Sequence, residues 1–255
     1  MGRLFPMSGA GTPGWAAVGE AIASREMHTP FPMYDAARPM LRIGICSSLS
    51  SGFLRELVQQ VSSMPSAPEL SFQEGTVAQV LQAARRRQVD VGFVYGEQDW
   101  AHLEHEPVWR ERVLAALPEH HLLAQVTEIP PGRLSRETLL VQGGAEEHDH
   151  QAALLRRILG CTPAQVDCLD VDRETLVELA ALGFGVALVM GSSLGAFHPA
   201  VVYRPVGGDA EICPFHAVWK PGGGNPAFGP FLASVRALAY RWSQKAAASG
   251  MGHAS

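Results

Sequence analysis

Cysteine is scarce in this chain and follows no pattern. Only four occur among 255 residues, Cys46, Cys161, Cys168 and Cys213, and they form neither a CxxC pair nor zinc-finger spacing. That is too few for a disulfide scaffold and is typical of a reduced cytoplasmic protein. For Cys161 and Cys168 we expect the role of small buried hydrophobic residues.

Long apolar runs and an excess of basic residues are also missing. No stretch of roughly 18 or more apolar residues occurs, and residues 1–28 lack the apolar core of a secretory signal. The formal net charge is −5, whereas proteins that neutralise many DNA phosphates are basic. The sequence therefore predicts a cytoplasmic protein that neither spans a membrane nor binds DNA well by itself.

Catalytic and metal-binding patterns are weak. The chain has no P-loop and no HExxH helix, and a scattered Ser, His and Asp do not make a triad. The chain has ten histidines, among them His120, His121, His148 and His150, but neighbouring loop histidines cannot easily share one ion. Solvated loop histidines are the favoured interpretation, so no enzyme, metal or other cofactor is predicted.

The pattern of apolar residues changes near residue 40. Residues 1–40 are rich in Gly, Pro, Ala and Met, and only Trp15 to Met27 could form a helix before a linker. From Leu41 on, short buried runs such as LRIGIC and VDVGFVYG alternate with amphipathic segments such as TVAQVLQAARRR and RETLVELAALG. Asp172 is a candidate N-cap of the last of these. Two such series predict an α/β protein with largely parallel strands and two lobes.

Five segments taken together resemble the effector-binding domain of LysR-type transcriptional regulators. In chain order they are LRIGICSSLSSGFLREL, ELSFQEGTVAQVLQAARRRQVDVGFVYG, EPVWRERVLAALPEHHLLA, DRETLVELAALGFGVALVM and the pair VVYRPV with HAVWK. The resemblance covers about Leu41 to Tyr240. It implies two Rossmann-like lobes of the periplasmic-binding-protein type 2 fold, joined by two crossover strands and separated by an effector cleft.

The resemblance also implies domain bounds. The effector-binding domain would be 41–243, with lobe I at 41–123 and 208–243, lobe II at 124–207, and a flexible tail at 244–255. The crossings would fall near Leu117–Gln125 and Pro205–Cys213. Family members begin with a winged helix-turn-helix, for which residues 1–40 are too short, although GTPGWAAVGEAIA resembles the start of the linker helix. DNA contact would then need a helix-turn-helix upstream or in a partner.

Ligand contacts are expected where strands end and helices begin, because unpaired N–H groups there attract small anions. Two such places carry hydroxyls, at Ser48 and Thr76, which by resemblance match the family's effector-contacting serine and threonine. The alternative is that each merely caps its helix. The predicted contacts are Cys46, Ser47, Ser48 and Thr76 in lobe I, and Gly143, Gly144, Ala145, Glu146, Gly191 and Ser192 in lobe II, where Ser193 continues the second wall.

The first helix has an apolar stripe that could serve two purposes. By resemblance, it would pack against lobe II of a partner in an antiparallel dimer. The alternative is that the stripe belongs wholly to the monomer core, and both uses can coexist. The stripe consists of Phe53, Leu54, Leu57, Val58 and Val61.

The resulting functional prediction is an effector-sensing module of a LysR-type regulator. It would bind a small carboxylate-bearing metabolite between its lobes and regulate transcription through a homo-oligomer, without a membrane partner. Two alternatives remain open. One is a stand-alone solute-binding protein, which would need export, and the other is an enzyme on the same two-lobed scaffold.

Overall fold

The computed structural model describes residues 38–96, 98–144, 148–196, 198–207 and 212–250. The helix predicted over Trp15 to Met27 and the end of the tail lie outside these ranges. The strands are β1 (Met40–Ile45), β2 (Glu69–Glu74), β3 (Val91–Tyr95), β4 (Glu104–Pro118), β5 (Thr138–Gln142), β6 (Gln165–Leu169), β7 (Val186–Met190), β8 (Val201–Pro205) and β9 (Ile212–Trp219). The α-helices are α1 (Gly52–Ser62), α2 (Val77–Arg85), α3 (Pro131–Leu134), α4 (His148–Leu159), α5 (Arg173–Ala181) and α6 (Phe228–Gly250).

Strand pairing divides the described chain into two similar halves. In lobe I, β1 lies between β2 and β3 and runs parallel to both, and in lobe II, β5 lies in the same way between β6 and β7. Antiparallel pairs join the halves, since β9 pairs with β3 and with β4, and β4 pairs with β7 and β8. This is the two-lobed α/β architecture that the sequence predicts.

Strand β4 passes through both lobes. The strand is continuous from Glu104 to Pro118, with a register shift between Pro107 and Trp109. A proline lacks the N–H that a regular ladder needs, which accounts for the irregularity. The strand exchanges its partner β9 for β7 between Arg112 and Val113. The first crossing therefore precedes the segment predicted for it, because β4 continues into lobe II.

Lobe I has an aromatic core, and most of the apolar stripe of α1 is buried in it. The Trp109 ring stacks on Phe53 at a centroid distance of 4.5 Å and on Phe215 at 4.4 Å. Four of the five residues proposed for a dimer contact, Phe53, Leu54, Leu57 and Val61, are buried inside the monomer, and only Val58 is partly exposed. The monomer core, which was the alternative, is where the structure places these four side chains.

Lobe II has an aliphatic core on both faces of its sheet. One face packs against α4 and the other against α5. Asp172 caps α5 as predicted, since its carboxylate accepts a hydrogen bond of 2.7 Å from the Thr175 N–H. Cys161 and Cys168 form no disulfide and are partly exposed, so the expectation that both are buried is wrong. None of the described helices has the length and apolar composition needed to cross a membrane.

Candidate functional site

The loop between β1 and α1 is longer than the sequence suggested. We expected the helix to begin directly after Ser48, but α1 begins at Gly52. The Ser48 hydroxyl therefore does not cap the helix. It donates to Ser50 Oγ at 2.8 Å and accepts from the Ser50 N–H at 3.0 Å. The loop is thus folded on itself and directs its serines towards lobe II.

One side of the gap between the lobes is tightly closed. The Ser50 and Ser51 hydroxyls both donate to the Ser192 carbonyl oxygen, at 2.7 and 2.8 Å. The Ser192 N–H donates to Glu111 Oε2 at 2.9 Å, and Trp109 Nε1 donates to Glu111 Oε1 at 2.8 Å. These contacts form the interlobe joint, which we define as Ser50, Ser51, Glu111, Ser192 and Gly195.

Gly195 belongs to the joint because the two backbones approach closely there. A Cβ at this position would lie 2.2 Å from the Ser50 carbonyl oxygen, where no side chain fits. Gly195 ends a short 3-10 helix that begins at Gly191. The lobes therefore touch directly at this point, without an intervening side chain.

Beside the joint, a small inner cavity of about 50 Å³ lies between the lobes. Cys46 and Tyr95 from lobe I face Gln151 and Arg173 from lobe II across it. The Tyr95 side chain is hydrogen-bonded to Gln151, and burial raises the pKa of its hydroxyl. Burial likewise raises the pKa of the Cys46 thiol, which donates to the Phe93 carbonyl oxygen. The rest of the wall is largely aliphatic, so these neutral polar groups and one cation lie among apolar side chains.

A larger cavity of about 450 Å³, the cleft mouth, opens towards solvent. Its wall combines hydroxyl, acidic and basic side chains from both lobes. They are Ser48 and Glu74 from lobe I, and Asp172, Arg173, Glu174, Val177, Ser193, Ala196 and His198 from lobe II. A volume of this size is within the range of small-molecule sites, whereas the inner cavity holds only one or two waters.

Arg173 is the residue that the two cavities share. Its guanidinium extends from lobe II to lobe I, where it donates to Glu74 Oε1 at 2.8 Å and to the Cys46 carbonyl oxygen at 3.2 Å. Arg173 is also the first residue of α5, where the helix dipole disfavours a cation. A charged residue at a position where the local helix geometry disfavours it often marks a functional site. This was the one sequence signal for Arg173, and the sequence analysis missed it.

The predicted contacts occupy different environments. Ser47 is 1% exposed, and its hydroxyl has no hydrogen-bond partner among the described residues. Thr76 caps α2 in a reciprocal capping box with Gln79, which agrees with the alternative interpretation of that residue. Gly143 continues the ladder by donating to the Leu169 carbonyl oxygen.

The lobe II wall is only partly described. Ala145 and Glu146 lie outside the described residues, and Gly144 follows Gly143 at the edge of that gap. Gly191 starts the 3-10 helix, and Ser192 is used by the joint. The next residue, Ser193, lines the mouth, and its buried hydroxyl has no hydrogen-bond partner among the described residues.

The segment Gly191 to Gly195 also spells GxSxG, so the interpretation that the chain lacks this motif is wrong. In hydrolases this motif presents a nucleophilic serine to a histidine base. Here His198 Nε2 contacts Glu178 Oε2 at 2.7 Å, and Nδ1 accepts from the Ala200 N–H at 3.4 Å. Neither ring nitrogen is thus directed at Ser193. Within the described ranges, no three His, Cys, Asp or Glu side chains are arranged to hold a metal ion.

Comparison with known proteins identifies the relatives of this fold. The model of the LysR substrate binding domain family matches residues 35–239. The Hca operon transcriptional activator HcaR of Escherichia coli (strain K12) is 25% identical over 154 residues, covering 60% of this chain and 52% of HcaR. The chain thus matches about half the length of this relative.

Solved structures of LysR-type regulators share the fold. The BenM effector-binding domain with its effector benzoate is 20% identical, with a TM-score of 0.63 over 83% of this chain and 93% of that chain. Full-length CbnR complexed with its target DNA is 15% identical, with a TM-score of 0.66 over 78% of this chain and 70% of that chain. Since the family model matches most of the sequence, the chain belongs to the LysR substrate-binding domain family.

Proposed function

We propose that this chain senses a small carboxylate-bearing molecule in the cleft mouth and transmits binding to a transcriptional regulator. The observation that carries the proposal is Arg173, a cation that reaches across the cleft and borders both cavities. A guanidinium is well suited to a carboxylate because it offers two parallel donors. BenM, a structural relative, binds the carboxylate benzoate as its effector.

Binding would act by changing how far the cleft opens. The inner cavity of about 50 Å³ is too small for a metabolite, so a ligand in the mouth that also enters it must separate the lobes there. A ligand shifts such an equilibrium by its difference in affinity for the two arrangements. The interlobe joint would then act as the fixed side about which the mouth opens.

To regulate transcription, the chain would need a DNA-binding domain. HcaR is named as a transcriptional activator, and CbnR has been solved in full length with its target DNA, which supports a role with a helix-turn-helix upstream or in a partner. An antiparallel dimer through α1 remains part of the proposal, but it would use the outer face of the helix. That face carries Arg55, Val58 and Gln59. None of the four cysteines forms a disulfide, in keeping with a cytoplasmic sensor.

The test is a thermal-shift screen of the chain with small carboxylates, aromatic acids, amino acids and sugars. A ligand at 100 times its Kd stabilises the folded chain by about 2.7 kcal/mol, which moves the melting temperature visibly. We expect a hit whose shift is reduced in Ser48→Ala and in Ser193→Ala. Ser193→Ala is the sharper variant because its hydroxyl makes no hydrogen bond to the described part of the chain.

The matched control is Ser63→Ala, which removes an exposed hydroxyl on lobe I that bonds the Gln60 carbonyl. This variant should keep the full ligand shift. A hit that persists undiminished in both cleft variants would place the site elsewhere, and the absence of any hit would argue against a sensing function.

A further inference from the structure

We propose that the effector is a zwitterion, with one carboxylate and one ammonium group in the manner of a free amino acid. The inference rests on the proposed function and specifies the ligand of the same cleft. It follows from the charges that surround Arg173, which a simple carboxylate would leave unbalanced.

Acidic groups outnumber the one arginine in the mouth. Glu74, Asp172 and Glu174 line it together with Arg173. The one histidine there, His198, is directed to Glu178 by its Nε2 atom. Because the acids are in excess, the mouth repels a ligand that carries only negative charge. A ligand that brings a positive group as well avoids this repulsion.

Arg173 is already paired, so an incoming carboxylate must displace a resident one. Its partner Glu74 has a half-exposed side chain, with 50% accessibility against 19% for Arg173. An ion pair with one exposed partner is weak and easily exchanged. Displacement by a simple carboxylate, however, leaves Glu74 without its cation and close to a second negative group. That repulsion works against the binding of a plain acid.

A zwitterion solves this problem by exchange of partners. Its carboxylate replaces Glu74 on the Arg173 guanidinium, and its ammonium takes the released Glu74 carboxylate, so that each charge remains paired. Asp172 already uses Oδ1 to accept from the Thr175 N–H at 2.7 Å, whereas displacement from Arg173 leaves Glu74 Oε1 without the cation that it held. That backbone hydrogen bond lowers the pKa of Asp172 and keeps it ionised as the cap. Glu74 is therefore the acceptor for the ammonium.

A neutral hydroxyl group, that of Ser193, also lines the site. Ser193 is 3% exposed and lines the mouth, and its hydroxyl has no partner among the described residues. A buried hydroxyl without a partner is costly, and a ligand oxygen can satisfy it. This observation is independent of the charges and also indicates a polar ligand.

The experiment compares matched ligands that differ in one charge. Calorimetric titrations use phenylalanine, 3-phenylpropanoate and phenethylamine, and a second series uses leucine, 4-methylpentanoate and 3-methylbutylamine. In the wild-type chain we expect at least one amino acid to bind, and loss of either charged group to weaken binding roughly tenfold or more. In Glu74→Gln the plain acid should bind more tightly than the amino acid, because Arg173 loses its resident carboxylate and the ligand ammonium loses its acceptor. Arg173→Gln should weaken the binding of both.

The control is a matched ion pair outside the cleft. Arg236 Nη2 contacts Glu106 Oε2 at 2.9 Å, and Glu106→Gln should leave all affinities unchanged. Plain acids that bind as tightly as amino acids, or an affinity ratio that Glu74→Gln does not alter, would overturn the zwitterion while leaving the sensing function intact. If neither series binds and the thermal-shift screen yields only plain acids, the zwitterion is overturned while the sensing function stands; no hit in either experiment rejects both.

Discussion

The interlobe joint and the cleft mouth connect the same two lobes by different chemistry. At the joint, neutral hydroxyls and backbone groups meet with Glu111, which is 8% exposed, and Gly195 allows direct backbone contact. At the mouth, one ion pair between Arg173 and a half-exposed Glu74 spans the gap. Buried, satisfied hydrogen bonds are costly to break, whereas exposed ion pairs contribute little to stability.

The difference assigns separate roles to the two regions. The joint holds the lobes together on one side by hydrogen bonds and direct backbone contact, and the proposed function expects opening on the other side. The mouth holds its charges in a pair that water or a ligand can replace at low cost. Substitutions at the joint should therefore change stability, and substitutions at the mouth should change ligand binding.

The largest effect on stability is expected at Glu111. Glu111→Ala leaves the Ser192 N–H and the Trp109 Nε1–H buried without an acceptor, which should lower the free energy of unfolding by about 3 kcal/mol. Glu111→Gln keeps one acceptor oxygen and should lose about half as much. Urea denaturation measures both. Equal stability of all three proteins would show that the joint is not a fixed contact.

A smaller loss is expected at Gly195. A methyl group there would collide with the Ser50 carbonyl oxygen, so Gly195→Ala should cost about 2 kcal/mol. Gly191→Ala is the matched control, because its Cβ would lie 3.5 Å from the Arg112 carbonyl oxygen, an ordinary contact. Urea denaturation should give a clearly lower free energy of unfolding for Gly195→Ala than for Gly191→Ala. Similar losses would contradict the close approach of the lobes at Gly195.

Ser51 should contribute less again. Ser51→Ala removes one of the two hydroxyl bonds to the Ser192 carbonyl, while Ser50 keeps the other. We expect a loss of about 1 kcal/mol. The double variant Ser50→Ala/Ser51→Ala leaves that carbonyl without either hydroxyl donor, and its loss should exceed the sum of the single losses. Strict additivity would mean that the two bonds act independently.

The smallest effect on stability belongs to the mouth. Glu74→Gln should change the free energy of unfolding by no more than about 0.5 kcal/mol, since the pair is partly exposed. The same variant should change ligand preference strongly. A large loss of stability would show that this ion pair holds the lobes together as the joint does.

Sequence reasoning succeeded where the cause of a structure is local. The N-cap at Asp172 and the alternation of strands and helices follow from a few neighbouring residues, and both are confirmed. The resemblance supplied the two-lobed architecture, which the family match and the solved structures confirm. The length of the loop before Gly52 was misjudged because three of its residues, Ser48, Ser50 and Ser51, are held by contacts within the loop and with lobe II.

The site was harder to predict because its contacts are distant in sequence. Arg173 meets Glu74 and Cys46 only after both lobes have formed. Thr76 lies at a helix start, as predicted. Its capping bonds to Gln79 join residues close in sequence, and they do not test whether Thr76 also contacts a ligand. The change of partner along β4 likewise depends on β7 and β9, which follow much later in the chain.

The most direct test of the cleft is the reactivity of Cys46 towards a small thiol reagent. Cys46 lines the inner cavity behind Arg173, and burial raises the pKa of its thiol, so it should react only when the mouth opens. In a Cys161→Ser/Cys168→Ser chain, methyl methanethiosulfonate would report on Cys46, with buried Cys213 as the internal reference. A bound compound fills the opened mouth and covers the path to Cys46, so a compound that raises the melting temperature should slow modification of Cys46 several-fold and leave Cys213 unchanged. If such a compound leaves the Cys46 rate unaltered, the effector does not bind between the lobes.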